Sequence, residues 1–281
     1  MVTHAEWSAQ QDETTVTVDG HEDLTVAYWE GGTDNDGPPG VFVHGIPTWS
    51  FLWRDVAPAV AEDRHVIAVD MLGYGNSDMR DSFDRSIRAQ EQMLADVLAE
   101  YDTVSFVAHD IGGGAVLRYA SHHPDAVEQL VLSNVVCYDS WPVEFISNLG
   151  LPSTADQDPE ELEASFEFAF ADGLAGDAAD HEEWVEGVPE PWRSPEGRTS
   201  LARCAVATNT NHTTELDYGA ITAETLLLWA EDDVMQPIEY AHKLDDDLAG
   251  ETTLEPLSDA FHWVVEDRTE TYKNRCRAFL D

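Results

Sequence analysis

The stretch Phe106–Gly113 (F-V-A-H-D-I-G-G) places one acidic residue, Asp110, between an apolar strand pattern and a helical pattern. Small residues, Ala108 and Gly112, lie two positions before and after it. A sharp turn from strand to helix needs small residues there, because its backbone passes close to its neighbours. Such a turn exposes the central side chain, which makes Asp110 a candidate nucleophile. The alternative is an ordinary aspartate that caps the following helix.

Asp233 follows a late apolar strand pattern, and His262 lies in a loop a few residues before the last helical pattern. These two later segments resemble those that carry the acid and the base of α/β-hydrolases, and the resemblance implies Asp233 and His262 for these roles. Asp232 is the alternative acid, but the spacing to Pro237 favours Asp233. A single histidine carries little weight, because the chain has 11 of them and an isolated loop histidine is usually a surface residue. The three residues are informative only as a set.

Five segments resemble the motifs of the α/β-hydrolase superfamily and follow one another in the order of that superfamily. They are the strand that ends in His44-Gly45, the loop Asp70–Ser77 (D-M-L-G-Y-G-N-S), the Asp110 turn, the strand and turn before Asp233, and the segment Ser258–Trp263. The chain order of nucleophile, acid and base is also that of the superfamily. The resemblance covers most of residues 40–135 and 225–265. It implies an α/β-hydrolase fold: a mostly parallel eight-stranded sheet flanked by helices, with a helical lid insertion.

Within the superfamily, the segment His44–Arg54 (H-G-I-P-T-W-S-F-L-W-R) and the aspartate look most like haloalkane dehalogenases. The resemblance implies that Asp110 displaces a leaving group from an sp³ carbon and forms an alkyl ester. A carboxylate can do this without a base, because it is already ionised at neutral pH. His262, oriented by Asp233, is then expected to activate the water that hydrolyses the ester.

The resemblance assigns the oxyanion hole to the backbone N–H groups of Ile46 and Ile111. Dehalogenases usually have Asn or Glu at the first position and Trp at the second, and these side chains bind the departing halide. Isoleucine offers no side-chain donor, so we expect lid tryptophans to stabilise the halide. Trp141 and Trp184 are the main candidates and Trp192 a further one; packing within the lid is the alternative role for each.

Two alternative functions remain open on the sequence, and one alternative position of the acid is disfavoured. Epoxide hydrolases usually protonate the epoxide oxygen with two lid tyrosines, and this chain offers Tyr138 and Tyr218 at the edges of the insertion. Some dehalogenases carry the acid after the sixth strand, where Asn134 cannot serve as a charged partner. A binding or sensor protein that kept the fold and lost turnover is favoured by the missing halide donors and opposed by the complete triad.

The elements that hold these residues alternate between short β-branched runs and helical patterns, which is typical of a parallel sheet with crossover helices. Between residues 138 and 217 the strand patterns disappear, and carboxylates and aromatic residues alternate instead. We interpret 138–217 as the helical lid (cap), and 1–137 together with 218–281 as the hydrolase core. A solvated helical insertion without function is the alternative for 138–217.

The composition limits the class of partner. The 281 residues contain 56 acidic and 14 basic residues, for a net charge of −42, and only two of the basic residues are lysine. A surface this negative repels nucleic acid and anionic membranes, so we expect a small-molecule substrate and water as the partners. Few lysines and dispersed carboxylates are typical of a halophilic protein, in which molar salt screens the self-repulsion. The oligomeric state is left open.

The cysteines and the apolar runs predict a cytoplasmic protein. Cys137, Cys204 and Cys276 are an odd, widely spaced set that favours free thiols over a disulfide framework. The first twelve residues contain no apolar run of the kind found in signal peptides, and no stretch approaches the length of a transmembrane helix. Neither a metal site nor another cofactor is expected, since the sequence has no HExxH motif, no clustered His and Cys, and no Gly-rich nucleotide loop.

Overall fold

The computed structural model describes residues 2–207 and 209–281. Eight strands form one sheet in the spatial order β1-β2-β4-β3-β5-β6-β7-β8. The strands are β1 Gln11–Val18, β2 His21–Gly31, β3 Gly40–Val43, β4 Val66–Val69, β5 Val104–His109, β6 Val127–Ser133, β7 Glu224–Ala230 and β8 Thr252–Leu257.

The sheet is antiparallel only at one end. β1 pairs antiparallel with β2, and β2 pairs antiparallel with β4. All the other neighbours are parallel, from β4 through to β8. The predicted fold class, a mostly parallel eight-stranded sheet flanked by helices, is therefore confirmed.

The burial of the strands explains their composition. β3, β4 and β5 are buried at every residue, because helices cover both faces of a parallel sheet and leave no position for a polar face. β1 is the edge strand, and most of its residues are exposed or only partly buried. Continuous apolar runs thus identify the central strands, and mixed polar runs identify the edge.

The chain between the strands is helical. The α-helices are α1 His4–Ser8, α2 Ala57–Val60, α3 Ile87–Val97, α4 Ile111–His122, α5 Glu144–Leu149, α6 Pro152–Asp156, α7 Pro159–Gly173, α8 Glu182–Gly187, α9 Pro195–Val206, α10 Asn211–Thr214, α11 Glu239–Asp247, α12 Val264–Asp267 and α13 Thr269–Leu280. None of the described helices is both long and apolar enough to cross a membrane.

The segment 138–217, called the lid segment below, carries α5 to α10 and no strand among its described residues. Its longest helix, α7, begins with a capping box in which the Asp158 carboxylate accepts from the Glu161 N–H and the Glu161 carboxylate accepts from the Asp158 N–H. Pro159 occupies the first helical position, where no hydrogen bond is lost. Leu162, Phe166 and Phe170 are buried, so one face of α7 packs into the apolar core.

The carboxyl ends of β3, β5, β6, β7 and β8 lie at one edge of the sheet, because these strands run parallel. Loops that leave this edge carry the residues singled out from the sequence. Residues far apart along the chain are therefore neighbours at this edge.

Candidate active site

Asp110 occupies a strained turn between β5 and α4. Its φ of 50° and ψ of −125° fall in a region that residues other than glycine rarely adopt, and such strain is typical of functional turns. The side chain makes no capping hydrogen bond to α4, so Asp110 does not act as the side-chain cap of this helix. A Cβ at Gly112 would lie 2.2 Å from the His44 carbonyl oxygen. Glycine is therefore required where α4 starts against the loop after β3.

The loop after β3 supplies a hydrogen-bond donor to Asp110. The Ile46 N–H donates to Asp110 Oδ1 at 2.8 Å. His44 holds this loop in place: its Nδ1 pairs with the Gly45 carbonyl at 2.8 Å, and its Nε2 accepts from the Met71 N–H at 3.0 Å. Burial lowers the pKa of His44 to about 3, so the ring is neutral and can accept. The donor position of Ile46 is thus fixed before any substrate binds.

The structure brings His262 and Asp233 to Asp110. His262 Nδ1 lies 2.8 Å from Asp233 Oδ2, and His262 Nε2 lies 3.8 Å from Asp110 Oδ2. The two ring nitrogens therefore face the two carboxylates. Asp232, the alternative acid, is exposed to solvent, whereas Asp233 is only 4% exposed. This is the geometry in which one carboxylate orients an imidazole that serves a second carboxylate.

The carboxylate of Asp233 is fully supplied with donors. Besides His262, the Asn134 side-chain amide donates to Oδ2 at 2.6 Å, and the Met235 N–H donates to Oδ1 at 2.7 Å. Asn134 is itself fixed, because its Oδ1 accepts from the Ala230 N–H at 3.2 Å. Asn134 follows β6, where some relatives carry the acid. In this chain it is a neutral donor to the acid that follows β7.

The three titratable groups influence one another. Burial raises the pKa of Asp110 above the usual carboxyl range, against the opposing effects of His262 and the N–H groups of Ile111 and Ile46. Burial by itself would lower the pKa of His262, but Asp233 and then Asp110 outweigh it, and the pKa lies above its usual value. Burial also opposes ionisation of Asp233, yet His262 and the local donors hold its pKa below the usual range.

His109 is a residue of the site that the sequence did not single out. Its ring centroid lies 4.9 Å from that of His262, and its Nδ1 pairs with the Ser133 carbonyl at 2.9 Å. Burial, followed by the charge of His262, lowers the pKa of His109 to about 3. His109 is therefore a neutral ring that packs beside His262. Its position next to Asp110 in the sequence was the only signal available.

The family model for the alpha/beta hydrolase fold matches residues 38–269, a range that includes the triad and the lid segment. The chain belongs to the alpha/beta hydrolase fold family. The match spans most of the chain and covers β3 to β8 and the helical insertion.

Known proteins similar to this family member include enzymes of two activities. A solved alpha/beta hydrolase fold protein from Burkholderia ambifaria is 26% identical, with a TM-score of 0.81 over 94% of this chain and 96% of the other. The haloalkane dehalogenase DbeA from Bradyrhizobium elkani is 21% identical, with a TM-score of 0.77 over 96% and 97% of the two chains. A soluble epoxide hydrolase from Corynebacterium is 33% identical over 117 residues, which are 40% of this chain and 41% of that one.

The three tryptophans predicted to bind the leaving group in this alpha/beta hydrolase fold protein fall into two groups. The indole N–H groups of Trp141 and Trp184 are buried and have no hydrogen-bond partner among the described residues. The Trp192 N–H instead donates to the Pro47 carbonyl at 2.8 Å. Trp184 packs near the base, because its ring lies 5.7 Å from that of Trp263, the residue after His262. The indole N–H of Trp192 is thus occupied by a hydrogen bond within the protein, whereas those of Trp141 and Trp184 have no described partner.

The two tyrosines named from the sequence are also committed. The Tyr138 hydroxyl donates to Asp247 at 2.9 Å, and the Tyr218 hydroxyl donates to the Thr213 carbonyl at 3.1 Å. Neither hydroxyl is free to protonate a substrate. Tyr74 differs: it is fully buried, and its hydroxyl has no partner with normal hydrogen-bond geometry among the described residues.

The triad of this family member is closed to solvent. Asp110 and His262 are each only 3% exposed. A groove of about 530 Å³ opens in the lid segment beside α5, α6 and α7, lined by Glu144, Phe145, Asn148, Leu149, Thr154, Gln157 and Ser165. None of the predicted site residues lines this groove. This groove is therefore separate from Asp110 and His262, which are enclosed by the surrounding chain.

No group of three or more His, Cys, Asp or Glu side chains suited to a metal ion occurs among residues 2–207 and 209–281. The pairs His262–Asp233 and His262–Asp110 are the charged contacts of the candidate site.

Proposed function

We propose that this protein is a hydrolase with an aspartate nucleophile, which acts on small apolar electrophiles in the manner of a haloalkane dehalogenase. The observation that carries the proposal is the placement of Asp110. Its carboxylate lies at the strained turn where serine hydrolases of this fold carry their hydroxyl, with Oδ1 on the Ile46 N–H and Oδ2 facing His262.

Asp110 is the nucleophile of the first step, which needs no base. Oδ2 attacks the substrate carbon, a carbon–oxygen bond forms, and the carbon–halogen bond breaks so that the halide leaves with its electron pair. Oδ1 becomes the carbonyl oxygen of the ester and already accepts from Ile46. The products of this step are an alkyl ester on Asp110 and a halide ion.

The second step needs His262. A water attacks Cγ of the ester while His262 Nε2 takes its proton, and the negative charge develops on Oδ1 beside the Ile46 and Ile111 N–H groups. The tetrahedral intermediate then collapses, and the alkoxide leaves as the alcohol with the proton that His262 had taken. The acid left on Asp110 releases the second proton of the water to solvent, which regenerates the carboxylate. Ester formation removes the Asp110 charge that helps to raise the pKa of His262. The lower pKa favours neutral His262 in the ester intermediate, the stage at which it must accept a proton from water.

Three features support the proposed roles of the surrounding residues. Ile46 and Ile111 give the leaving group no side-chain donor, and the free indole N–H groups of Trp141 and Trp184 are the donors we assign to it. The aromatic rings of Trp184 and Trp263, which pack 5.7 Å apart beside His262, favour an apolar substrate. The lid segment, 138–217, is assigned the covering of the site, and 1–137 with 218–281 the core that carries the triad.

Epoxide hydrolysis is the second candidate, and it is favoured by the buried hydroxyl of Tyr74, which has no partner with normal hydrogen-bond geometry among the described residues. Burial, then the thiol of Cys204, and then the charge of Asp110 raise the pKa of Tyr74. Its ring lies 5.2 Å from that of His44, in the loop that donates to Asp110. A neutral phenol of this kind could donate to an epoxide oxygen as the ring opens. Tyr74 would then replace the two lid tyrosines, since Tyr138 and Tyr218 are occupied elsewhere.

The test uses bromoalkanes, chloroalkanes and epoxides in water labelled with heavy oxygen. Asp110→Ala should reduce turnover by about 10⁴-fold or more, as expected for the loss of a nucleophile. His262→Gln should form the ester and fail to hydrolyse it, so that the adduct on Asp110 is detected by mass spectrometry. In the wild type, label should enter the Asp110 carboxylate within a few turnovers.

Three results would contradict the proposal. Near-normal activity of Asp110→Ala would exclude it as the nucleophile. A wild-type protein that never carries label or adduct on Asp110 with any substrate of the panel would favour a binding or sensor protein. Turnover of epoxides without turnover of bromoalkanes would replace the first candidate with the second.

We also propose that the protein works in concentrated salt. With a net charge of −42, the carboxylates of the folded protein repel one another at low ionic strength. Salt screens this repulsion, because the screening length falls from about 10 Å at 0.1 M to about 3 Å at 1 M salt. The melting temperature should therefore rise steeply with potassium chloride, as measured by calorimetry. A melting temperature that is the same in dilute buffer and in molar salt would contradict this proposal.

A further inference from the structure

The loop that carries His262 is bonded to the lid segment through the next residue. The Trp263 N–H donates to the Gly173 carbonyl at 3.0 Å, and its indole N–H points to the Ala169 carbonyl at 3.4 Å. A Cβ at Gly173 would lie 2.3 Å from the Trp263 indole nitrogen, so the close approach depends on glycine. The ring of Trp263, which packs 4.7 Å from that of His262, is thus held by the end of α7.

A single carboxylate bonds the other side of the same loop to the lid segment. Asp267 Oδ2 accepts from the Phe261 N–H at 2.8 Å, and its Oδ1 accepts from the Ala175 N–H at 3.0 Å. Phe261 directly precedes His262, and Ala175 lies just after α7. Asp267 therefore holds the backbone next to the base and the backbone of the lid segment at the same time.

Glu266 adds a third connection. Its Oε2 accepts from the Arg54 guanidinium at 2.8 Å, and its Oε1 lies 3.0 Å from His181 Nδ1 in the lid segment. Arg54 is buried and lies over the Phe51 ring at 4.7 Å, which fixes it to the chain after β3. The stretch 261–267 is therefore bonded to the lid segment at several points and to the core at another.

These contacts matter because the site is closed. Asp110 is 3% exposed, so the covering structure must move for a substrate to enter, and a movement of 169–181 pulls on the loop of His262. The two chemical steps differ in whether they need the base. Ester formation proceeds by attack of Asp110 without a base, whereas ester hydrolysis requires His262 beside the attacking water. A displaced base would stop the second step and leave the first intact.

We propose that Asp267 is a positioning residue that couples closure of the lid segment to the placement of His262, so that the ester is hydrolysed only when the lid segment is closed. The coupling of the two steps rests on the proposed function. The physical link between the lid segment and the base loop does not, and it is measured separately below.

Two variants break the link from its two ends. Asp267→Ala removes both acceptors. Ala175→Pro removes only the N–H that the lid segment donates, and it suits the local backbone, because Leu174 already has φ −102° and ψ 140°, the conformation that a following proline favours. Asp259→Asn is the matched control, since this carboxylate lies in the same loop with an 89% exposed side chain. Melting temperatures identify any variant that fails to fold.

Rapid-quench mass spectrometry then separates the two steps. Both variants should slow hydrolysis of the Asp110 ester by about 10–100-fold, the effect expected for losing a hydrogen bond to a charged group, and leave ester formation within about twofold. The ester should accumulate, as in His262→Gln, whereas Asp259→Asn should match the wild type. Unchanged hydrolysis in both variants, or an equal slowing of both steps, would overturn the coupling.

Amide hydrogen exchange tests the link without any substrate. The N–H groups of Phe261 and Trp263 should exchange faster in Ala175→Pro than in the wild type, although the substituted residue lies in another segment. Unchanged exchange at both amides would overturn the link even if the enzyme turns over. Faster exchange in a protein that never forms the ester would leave the link standing and show that the proposed function is the part that fails.

Discussion

The two sides of the nucleophile are built differently. On the side of the base, each oxygen of Asp233 accepts at least one hydrogen bond, and His262 bridges it to Asp110. On the side proposed for the leaving group, Ile46 and Ile111 have no side-chain hydrogen-bond donor. The indole N–H groups of Trp141 and Trp184 have no described partner. Buried charges need partners to stay charged, so the base side is complete in the absence of substrate. The leaving-group side is completed only when an anion is produced.

The largest expected effect on turnover comes from a substitution on the side of the base. Asp233→Asn removes the charge that orients His262, and loss of such a partner costs about 10⁴-fold in turnover. Ester formation should continue, because it needs no base, so the adduct should accumulate. Asp232→Asn is the matched control, since that neighbouring carboxylate is exposed and its loss should leave the rate unchanged.

The pH dependence of Asp233→Asn sharpens the same comparison. Asp233 raises the pKa of His262, so the wild-type base becomes neutral only at a higher pH than an ordinary histidine. Removing the Asp233 charge should lower that pKa, and the residual hydrolysis of the ester should reach half its maximum at a lower pH than in the wild type. A shift towards higher pH would contradict the assigned role of Asp233.

A smaller effect is expected on the incomplete side. Trp184→Phe removes a free indole N–H, and Trp192→Phe removes one that is bonded to the Pro47 carbonyl. The two substitutions reduce the side chain by the same amount, and both residues are fully buried. Trp184→Phe should slow ester formation from chloroalkanes by about 10–100-fold, because a donor to a developing anion is lost. Bromoalkanes should be affected less, because bromide is a better leaving group than chloride.

Trp192→Phe should show the opposite balance. It should keep the rate of ester formation within about threefold and lower the free energy of unfolding by about 1 kcal/mol, the usual contribution of a neutral hydrogen bond. Equal kinetic effects of the two variants would mean that Trp184 acts through packing alone. Denaturant titration and single-turnover kinetics on both variants make the measurement.

The sequence determined the fold, and it singled out Asp110, Asp233 and His262 as a candidate triad. Glycines and small residues around Asp110, and continuous apolar runs for the central strands, are local signals, because a tight turn and a buried strand each restrict the residues at fixed positions. The order of Asp110, Asp233 and His262 along the chain then follows the order of the strand ends. The predicted sheet is confirmed, and the three side chains lie together as their motifs indicate.

The tertiary structure alone decided which polar groups are occupied and which are free. Trp192 and Trp184 look alike in the sequence, but the partner of Trp192 lies 145 residues away. Asp267 is one of 56 acidic residues, and its lid partner Ala175 is 92 residues distant. A hydrogen bond depends on distances of about 3 Å and on direction, and no local pattern encodes a contact between segments that approach each other only after the sheet and the lid segment have packed together.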